Sequence, residues 1–366
     1  MKLFFLLFML LPFVGCAYVG WHIWHILPVG NWLKAIVVTL LIAAFCLLFV
    51  NFAVGLDSVP MPLARAMYAV GTSAIIILLY LVMLFLVLDV LHLFGVVPST
   101  LLLSSARGTA MVVGVMTALF VYANWNYHRK VRQPLEIATA KQLRRPVKIM
   151  LMSDLHLGYH NTRADLSKWI DIILDENPDY VLIAGDIVDI STRPLLEDDM
   201  AAEWRRLTVP VYACPGNHDY YADLEKSRCF FREAGIRLLR DESVELEEGI
   251  VVVGRDDRTN ARRKSVAELM KTVGKDRFSI LLDHQPYNLG QAEAAGVDFQ
   301  FSGHTHYGQV WPISWIEDLI YEDAFGPLKK GQTQYYVTSG LGIWGGKFRI
   351  GTRSEYVVLT VSDITP

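Results

Sequence analysis

The chain has 366 residues, 53% of them hydrophobic, with a formal net charge of −3 and a mean hydropathy of +0.32. That length suffices for two domains, and the lack of a basic excess excludes a nucleic-acid binder working through a domain-wide positive surface. The apolar excess lies before about Val147, after which the composition is that of an ordinary globular domain.

Four apolar runs precede Lys130, approximately Leu3–Gly20, Leu33–Gly55, Tyr68–Phe94 and Thr109–Tyr127. Each approaches the roughly 20 residues that cross a bilayer as a helix, the fold that satisfies its own backbone polar groups in lipid. Trp21, Trp24 and Trp32 lie between the first two runs, and Tyr122, Trp125 and Tyr127 close the fourth, as interfacial aromatic belts do. Arg129, Lys130, Arg132, Lys141, Arg144, Arg145 and Lys148 follow the fourth run, and no other loop has a comparable cluster. The positive-inside rule therefore places everything after that run in the cytoplasm, and four crossings place the amino terminus there too. The expectation is a multi-pass protein of the inner membrane, with a transmembrane domain over 1–128 and a basic cytoplasmic connector over 129–146.

Phe13-Val14-Gly15-Cys16 loosely resembles a lipoprotein signal ending, but the apolar sequence continues past it, which favours a first membrane helix. Asp89 and His92 share a face at the end of the third run, where snorkelling to water suffices for them. Cys16, Cys46, Cys214 and Cys229 show no CxxC spacing and read as reduced thiols.

Pro134 and Pro146 punctuate the connector, and the second domain, 147–366, begins with an expected strand at Val147–Met152. Asn161 or Thr162 caps a helix whose stripe is Leu166, Trp169, Ile170, Ile173 and Leu174. A strand through Tyr180-Val181-Leu182-Ile183 completes a βαβ unit. Strands are expected at Leu207–Ala213, Ile236–Leu239, Glu245–Val253, Phe278–Leu282, Val297–Phe301, Gln334–Thr338 and Glu355–Val361. Helices are expected at Leu224–Ala234, Ser265–Thr272 and Leu289–Ala295. Mixed sheets with helices outside give a layered α/β sandwich.

Five stretches at the ends of apolar runs carry Asp, Asn or His. They are Asp154-Leu155-His156, Gly185-Asp186 with Asp189, Gly216-Asn217-His218-Asp219, Asp283-His284, and Gly303-His304-Thr305-His306. The carboxyl ends of strands are where open α/β sheets bind ligands. Residues i and i+2 at an extended strand end point the same way, so Asp154 with His156, and His304 with His306, can face one ion. Carboxylates, an amide and imidazoles without a thiolate suit manganese, iron, zinc or a mixed pair.

In its order DxH, GDxxD, GNHD, a lone His and GHTH, the chain resembles the calcineurin-like metallophosphoesterases over roughly Lys148 to Val361. It is more similar to the smaller bacterial phosphodiesterase-type members than to the Ser/Thr phosphatases, which continue GDxxD with Arg-Gly where this chain has Ile190-Ser191. The resemblance implies a four-layer αββα sandwich behind a four-helix transmembrane region, and two divalent metal ions, manganese first. One ion would take Asp154, His156, Asp186 and His306; the other would take Asp186, Asn217, His284 and His304. It also implies a bridging hydroxide as nucleophile, His218 as the acid beside the leaving oxygen, Asp189 as its orienting partner, and Asp219 behind them. Tyr307 departs from the small residue that many relatives carry there. Arg193, Arg255, Arg258 and Arg349 are guanidinium candidates for phosphate, each with a solvated surface position as the alternative.

Trp311-Pro312-Ile313-Ser314-Trp315-Ile316, with Leu319, Ile320, Tyr321 and Phe325, is unusually apolar for a loop near a phosphate site. It reads either as a cover for the core or as a lid contacting the bilayer or a lipid tail. The expected substrate is an amphiphilic phosphoester, such as a phospholipid or a lipid-linked or acylated nucleotide-sugar. Phosphodiester, phosphomonoester and pyrophosphate bonds remain open. The rival readings are a membrane sensor or transporter with a phosphoesterase tail, and a non-catalytic metal-binding scaffold.

Overall fold

The computed structural model describes residues 2–364, with side chains described from residue 10. It divides into two compact units. The first holds the apolar helices up to Asn124 together with Gly345–Lys347; the second runs over Trp125–Trp344 and resumes at Phe348.

In the first unit, helices α1 (Lys2–Ile26), α2 (Asn31–Val54) and α3 (Met61–Leu93) are followed by a short α4 (Ser99–Leu102) and by α5 (Ala106–His128). Among the described residues, α2, α3 and α5 are long and apolar enough to cross a membrane. The expected first span, Leu3–Gly20, lies in α1, but its side chains up to residue 9 lie outside the described residues. Asp89 is not simply snorkelling. Its Oδ2 accepts from Tyr18 Oη at 2.5 Å and lies 3.0 Å from His22 Nε2, both on α1, while His92 Nδ1 meets the Val97 carbonyl at 2.7 Å. The 3.6-residue spacing that put Asp89 and His92 on one face could not reveal a partner on another helix.

The second unit begins with a correction. The basic stretch expected as a connector is largely a strand, β1 (Lys130–Thr139). It pairs in parallel with the last strand from Lys130↔Ser354 to Thr139↔Asp363. Charges and Pro134 disguised it, yet an edge strand is where both are tolerated. Then come β2 (Val147–Met152), α6 (Arg163–Glu176), β3 (Tyr180–Ala184), α7 (Arg193–Glu197), α8 (Ala201–Trp204), β4 (Val211–Cys214) and α9 (Asn217–Tyr221). Next are α10 (Leu224–Glu233), β5 (Ile236–Leu238), β6 (Glu242–Glu245), β7 (Ile250–Gly254), α11 (Val266–Met270), β8 (Phe278–Leu282), α12 (Gly290–Ala294) and β9 (Phe299–Ser302). The last elements are α13 (Ile313–Ile320), β10 (Gly326–Lys330), β11 (Thr333–Val337) and β12 (Ser354–Asp363). The single strand expected over Glu245–Val253 is instead the β6–β7 hairpin. Gly249, at φ 91°, supplies its turn.

The first sheet runs β1-β12-β2-β3-β4-β5 and the second β10-β11-β9-β8-β7-β6. Period-2 alternation divides their side chains between layers. Ile149, Leu151 and Leu182 pack with Val252, Ile280 and Leu282 between the sheets. Met150, Met152, Val181 and Ile183 face the other way, against Leu166, Trp169, Ile170 and Ile173 of α6. Val251, Val253 and Leu281 pack outward with Val266, Leu269 and Ala292 of α11 and α12. The order is helices, sheet, sheet, helices. Thr162 starts α6, its backbone N–H bonding Asp165 Oδ2 at 2.9 Å. All four cysteines are free.

Candidate metal centre

The turns after β2, β3, β4, β8 and β9 carry the Asp, Asn and His residues of the five motifs and bring them together. Asp154, His156 and His306 form one cluster of donor atoms within 4.8 Å of one another, and Asp186, His284 and His304 form another. His156 Nε2 lies 3.1 Å from His306 Nε2, and His306 Nε2 lies 3.5 Å from Asp154 Oδ1. Asp186 stands between the groups: its Oδ2 is 3.7 Å from His156 Nε2 and 3.1 Å from His284 Nε2. Asn217 is buried, and among the described residues neither its Oδ1 nor the buried His306 Nδ1 has a hydrogen-bond partner.

These observations test whether the residues suit metal ions, and they fit. Two imidazole nitrogens facing each other at hydrogen-bond distance beside carboxylates, and a buried amide oxygen with no donor, are costly unless a cation is shared among them. Hydrogen bonds behind the donors aim them. His284 Nδ1 meets the Ala184 carbonyl at 2.7 Å, and because a carbonyl only accepts, Nδ1 carries the proton and Nε2 presents a lone pair. His218 Nδ1 donates to the Asp189 backbone carbonyl at 3.2 Å, and the Asp189 carboxylate lies 3.2 Å from the same nitrogen and 3.4 Å from His156 Nδ1, beside both rings. His304 N–H donates to the Asp154 carboxylate at 3.1 Å.

The backbone here departs from local preference. Asp154, His156, Asp186, His304 and His306 all have φ between 45° and 73°. Each such residue costs roughly 1–2 kcal/mol relative to a right-handed conformation, and strain of this kind collects at functional sites. Close approach demands glycine at Gly216 and Gly303. A Cβ on Gly216 would lie 2.1 Å from Asp186 Oδ1, and one on Gly303 would lie 2.0 Å from Ser153 Oγ. Gly216→Ala is expected to weaken manganese binding about 10–100-fold while leaving far-UV circular dichroism unchanged. Titration calorimetry checks this, and an unaltered affinity would dismiss the packing argument.

Electrostatics follow from burial and charge. Burial alone would raise Asp186, but His284 and His218 hold its carboxyl well below the usual range. Burial opposes protonation of His218, yet Asp186 and Asp189 outweigh it and lift the imidazole to about 9. Burial and the neighbouring His284 lower His304 to about 4. Burial and Asp186 push Asp219 up to about 7.

Sequence patterns undervalued three residues. Asp219 is fully buried and accepts from the backbone N–H groups of Asp186, Val188 and Gly216 at 3.1, 2.9 and 2.8 Å. By sequence alone Asn161 reads only as a candidate helix cap. Its Nδ2 donates to the carbonyls of Leu155, His156 and Ile343, and its Oδ1 accepts from Tyr127 Oη. Arg349 is neither a surface arginine nor a phosphate clamp. It is fully buried and donates to the carbonyls of His306, Ser339 and Gly342. Arg255 is likewise buried, on Asp283 at 2.9 Å, and Arg193 pairs with Glu197 at 2.6 Å. Arg258 lies over the Tyr287 ring at 3.8 Å. Tyr307 Oη reaches Asp318 at 3.3 Å.

The model of the calcineurin-like phosphoesterase family matches residues 147–308. An uncharacterised metallophosphoesterase of Aquifex aeolicus is 33% identical over 225 residues, which cover 59% of this chain and 85% of that one. A transmembrane protein with metallophosphoesterase domain from Danio rerio is 30% identical over 225 residues, 57% of this chain and 52% of that one. Among solved structures, an archaeal phosphodiesterase aligns at 18% identity with a TM-score of 0.31, over 53% of this chain and 83% of that one. With a relative matched over most of its length, and with the five motifs converging on one site, the chain belongs to the calcineurin-like metallophosphoesterases.

Proposed function

We propose that this protein is a membrane-anchored phosphoesterase that hydrolyses a phosphodiester, phosphomonoester or pyrophosphate bond at a dinuclear metal centre. The observation that carries this reading is the convergence of Asp154, His156, Asp186, His284, His304 and His306 into two donor clusters. Asp154, His156, Asp186 and His306 would hold one ion, and Asp186, Asn217, His284 and His304 would hold the other. Two divalent cations, manganese first with iron, zinc or a mixed pair also suited, supply Lewis acidity toward phosphoryl oxygens and make water nucleophilic near neutral pH. The Asp189 backbone carbonyl accepts from His218 Nδ1, with the Asp189 carboxylate beside the ring, which leaves Nε2 to deliver a proton to the departing oxygen. The backbone N–H of His218 donates to Asp186 Oδ1 at 2.8 Å, which ties the acid to the carboxylate between the clusters.

The anchor in this reading is a four-helix transmembrane region in the inner membrane, α1 joining the three spans already described. The catalytic unit is cytoplasmic, on the strength of the basic residues after α5. The substrate is amphiphilic, a lipid or an acylated nucleotide-sugar, and nucleic acid is not a partner. The Tyr18–Asp89–His22 cluster gives one reason to keep a second reading, a membrane sensor with a phosphoesterase tail. Replacing the helices by an unrelated anchor would abolish function under that reading and spare it under the first.

The test is metal-dependent hydrolysis by the full-length protein. After chelation, manganese should restore turnover of a chromogenic phosphodiester, a monoester or a detergent-dispersed acylated nucleotide-sugar. His218→Ala should lower kcat about 10²–10⁴-fold with manganese stoichiometry unchanged. Failure to bind manganese, or full activity in the variant, would overturn the proposal.

A further inference from the structure

We infer that α13 is a docking element for the lipid surface of the bilayer, and that its exposed apolar face forms the lip over which substrate reaches the metal centre. This rests on the membrane-anchored reading above.

The apolar segment expected as a loop, either a core cover or a lid, is a helix. Trp315, Ile316, Leu319 and Ile320 are 61%, 46%, 87% and 55% exposed, and Trp311 is exposed just before them. At spacings of one, three and four they form one stripe. Ser314, on another side of the helix, is buried. Tryptophan with isoleucine and leucine on one exposed helix face is what interfacial helices present to lipid. The helix also adjoins the site. It follows the turn carrying His304 and His306, and Asp318 accepts from Tyr307 Oη. The ring of Tyr321, just after α13, stands 6.2 Å from that of His304.

The occupant follows from how α5 ends. Its last turn, from Trp125, is built into the catalytic unit. Asn126 Nδ2 donates to the carbonyls of Arg349 at 3.0 Å and Thr352 at 2.9 Å. The same short segment holds the approach to α13: Trp311 N–H donates to the Ile350 carbonyl at 2.7 Å, and a Cβ on Gly351 would lie 3.0 Å from Trp311 Cβ. The end of an apolar, membrane-length helix and the approach to α13 therefore both bond to residues 349–352. Trp125 and Arg129, exposed where α5 ends, are the aromatic and basic pair of a membrane–water boundary. The lipid surface reached at the end of α5 thus continues onto α13. Glu317, Asp318 and Glu322 on and beside the helix argue against attraction to anionic headgroups, so docking is by apolar insertion.

The test places nitroxide labels on the full chain in phosphatidylcholine nanodiscs, with Cys46 and Cys229 replaced by serine. Labels go at Leu319→Cys, at Leu40→Cys on α2 as a lipid reference, and at Lys226→Cys on α10 as a water reference. Collision with oxygen and with a water-soluble nickel chelate is then measured. Leu319 should favour oxygen, as Leu40 does, at neutral pH and in about 0.5 M salt alike, where the Debye length falls below the roughly 10 Å of 0.1 M salt. If Leu319 favours nickel while Leu40 favours oxygen, α13 is not a docking element. If Leu40 also favours nickel, the membrane-anchored reading falls with it. Shielding of Leu319 from both reagents would mean a protein cover, such as a second copy, and overturn lipid docking. In parallel, Leu319→Asp should raise KM for a vesicle-borne phosphodiester about tenfold, and leave kcat for a soluble chromogenic one unchanged. A loss of about tenfold is 1.36 kcal/mol.

Discussion

Asp186→Asn is expected to reduce hydrolysis of a chromogenic phosphodiester by about 10³-fold or more, the effect of disrupting a buried charge pair worth some 3–5 kcal/mol. The carboxylate is 1% exposed, and its two oxygens do different work. Oδ1 accepts the His218 N–H at 2.8 Å, while Oδ2 faces His284 Nε2 at 3.1 Å and His156 Nε2 at 3.7 Å. Asparagine preserves the shape and one acceptor but supplies an N–H₂ group toward imidazoles whose lone pairs are needed for metal. The variant should fold, as judged by near-UV circular dichroism, and bind fewer than two manganese ions per chain. Wild-type stoichiometry together with wild-type turnover would remove Asp186 from the centre of the site.

Asp219→Ala should act on stability more than on chemistry. Three buried backbone N–H groups, from Asp186, Val188 and Gly216, would lose their acceptor together. At roughly 1–3 kcal/mol for each unsatisfied buried group, the loss is about 4 kcal/mol, or on the order of 10 °C in the melting of a unit this size. Asp219 is lifted to about 7 by burial and by Asp186, so its removal also relieves a repulsion, which offsets part of the loss. Asp219→Asn, retaining one acceptor oxygen, should melt between the two. Differential scanning fluorimetry with manganese present tests the order, and an alanine variant melting with the wild type would refute it.

Much of the catalytic unit was legible because its strands are short apolar runs that end in polar turns. Val147–Met152, Tyr180–Ala184 and Phe278–Leu282 stand as their patterns required. The motif residues were legible because each follows such a run. The left-handed backbone of Asp154, His156, Asp186, His304 and His306 was not, since a conformation against local preference leaves no periodic trace. Nor could spacing show that Asn161 holds the Leu155 and His156 carbonyls, or that Arg349 is buried among backbone carbonyls, because their partners are distant in sequence. The Lys130–Thr139 strand was hidden by its charges and Pro134, which describe an edge as well as they describe a linker.

Under the membrane-anchored reading, that strand changes what detaching the catalytic unit would entail. With Lys130–Thr139 paired along the whole of Ser354–Asp363, the first strand of the catalytic unit leaves a protease no free backbone to enter. Cutting there would strip the sheet of its border and leave Ser354–Asp363 open to pairing between molecules. A freely diffusing form made by clipping is therefore disfavoured by the fold itself. Under the proposed membrane-anchored reading with a lipid substrate, turnover would follow the mole fraction of substrate within the lipid layer, since encounters are confined to two dimensions.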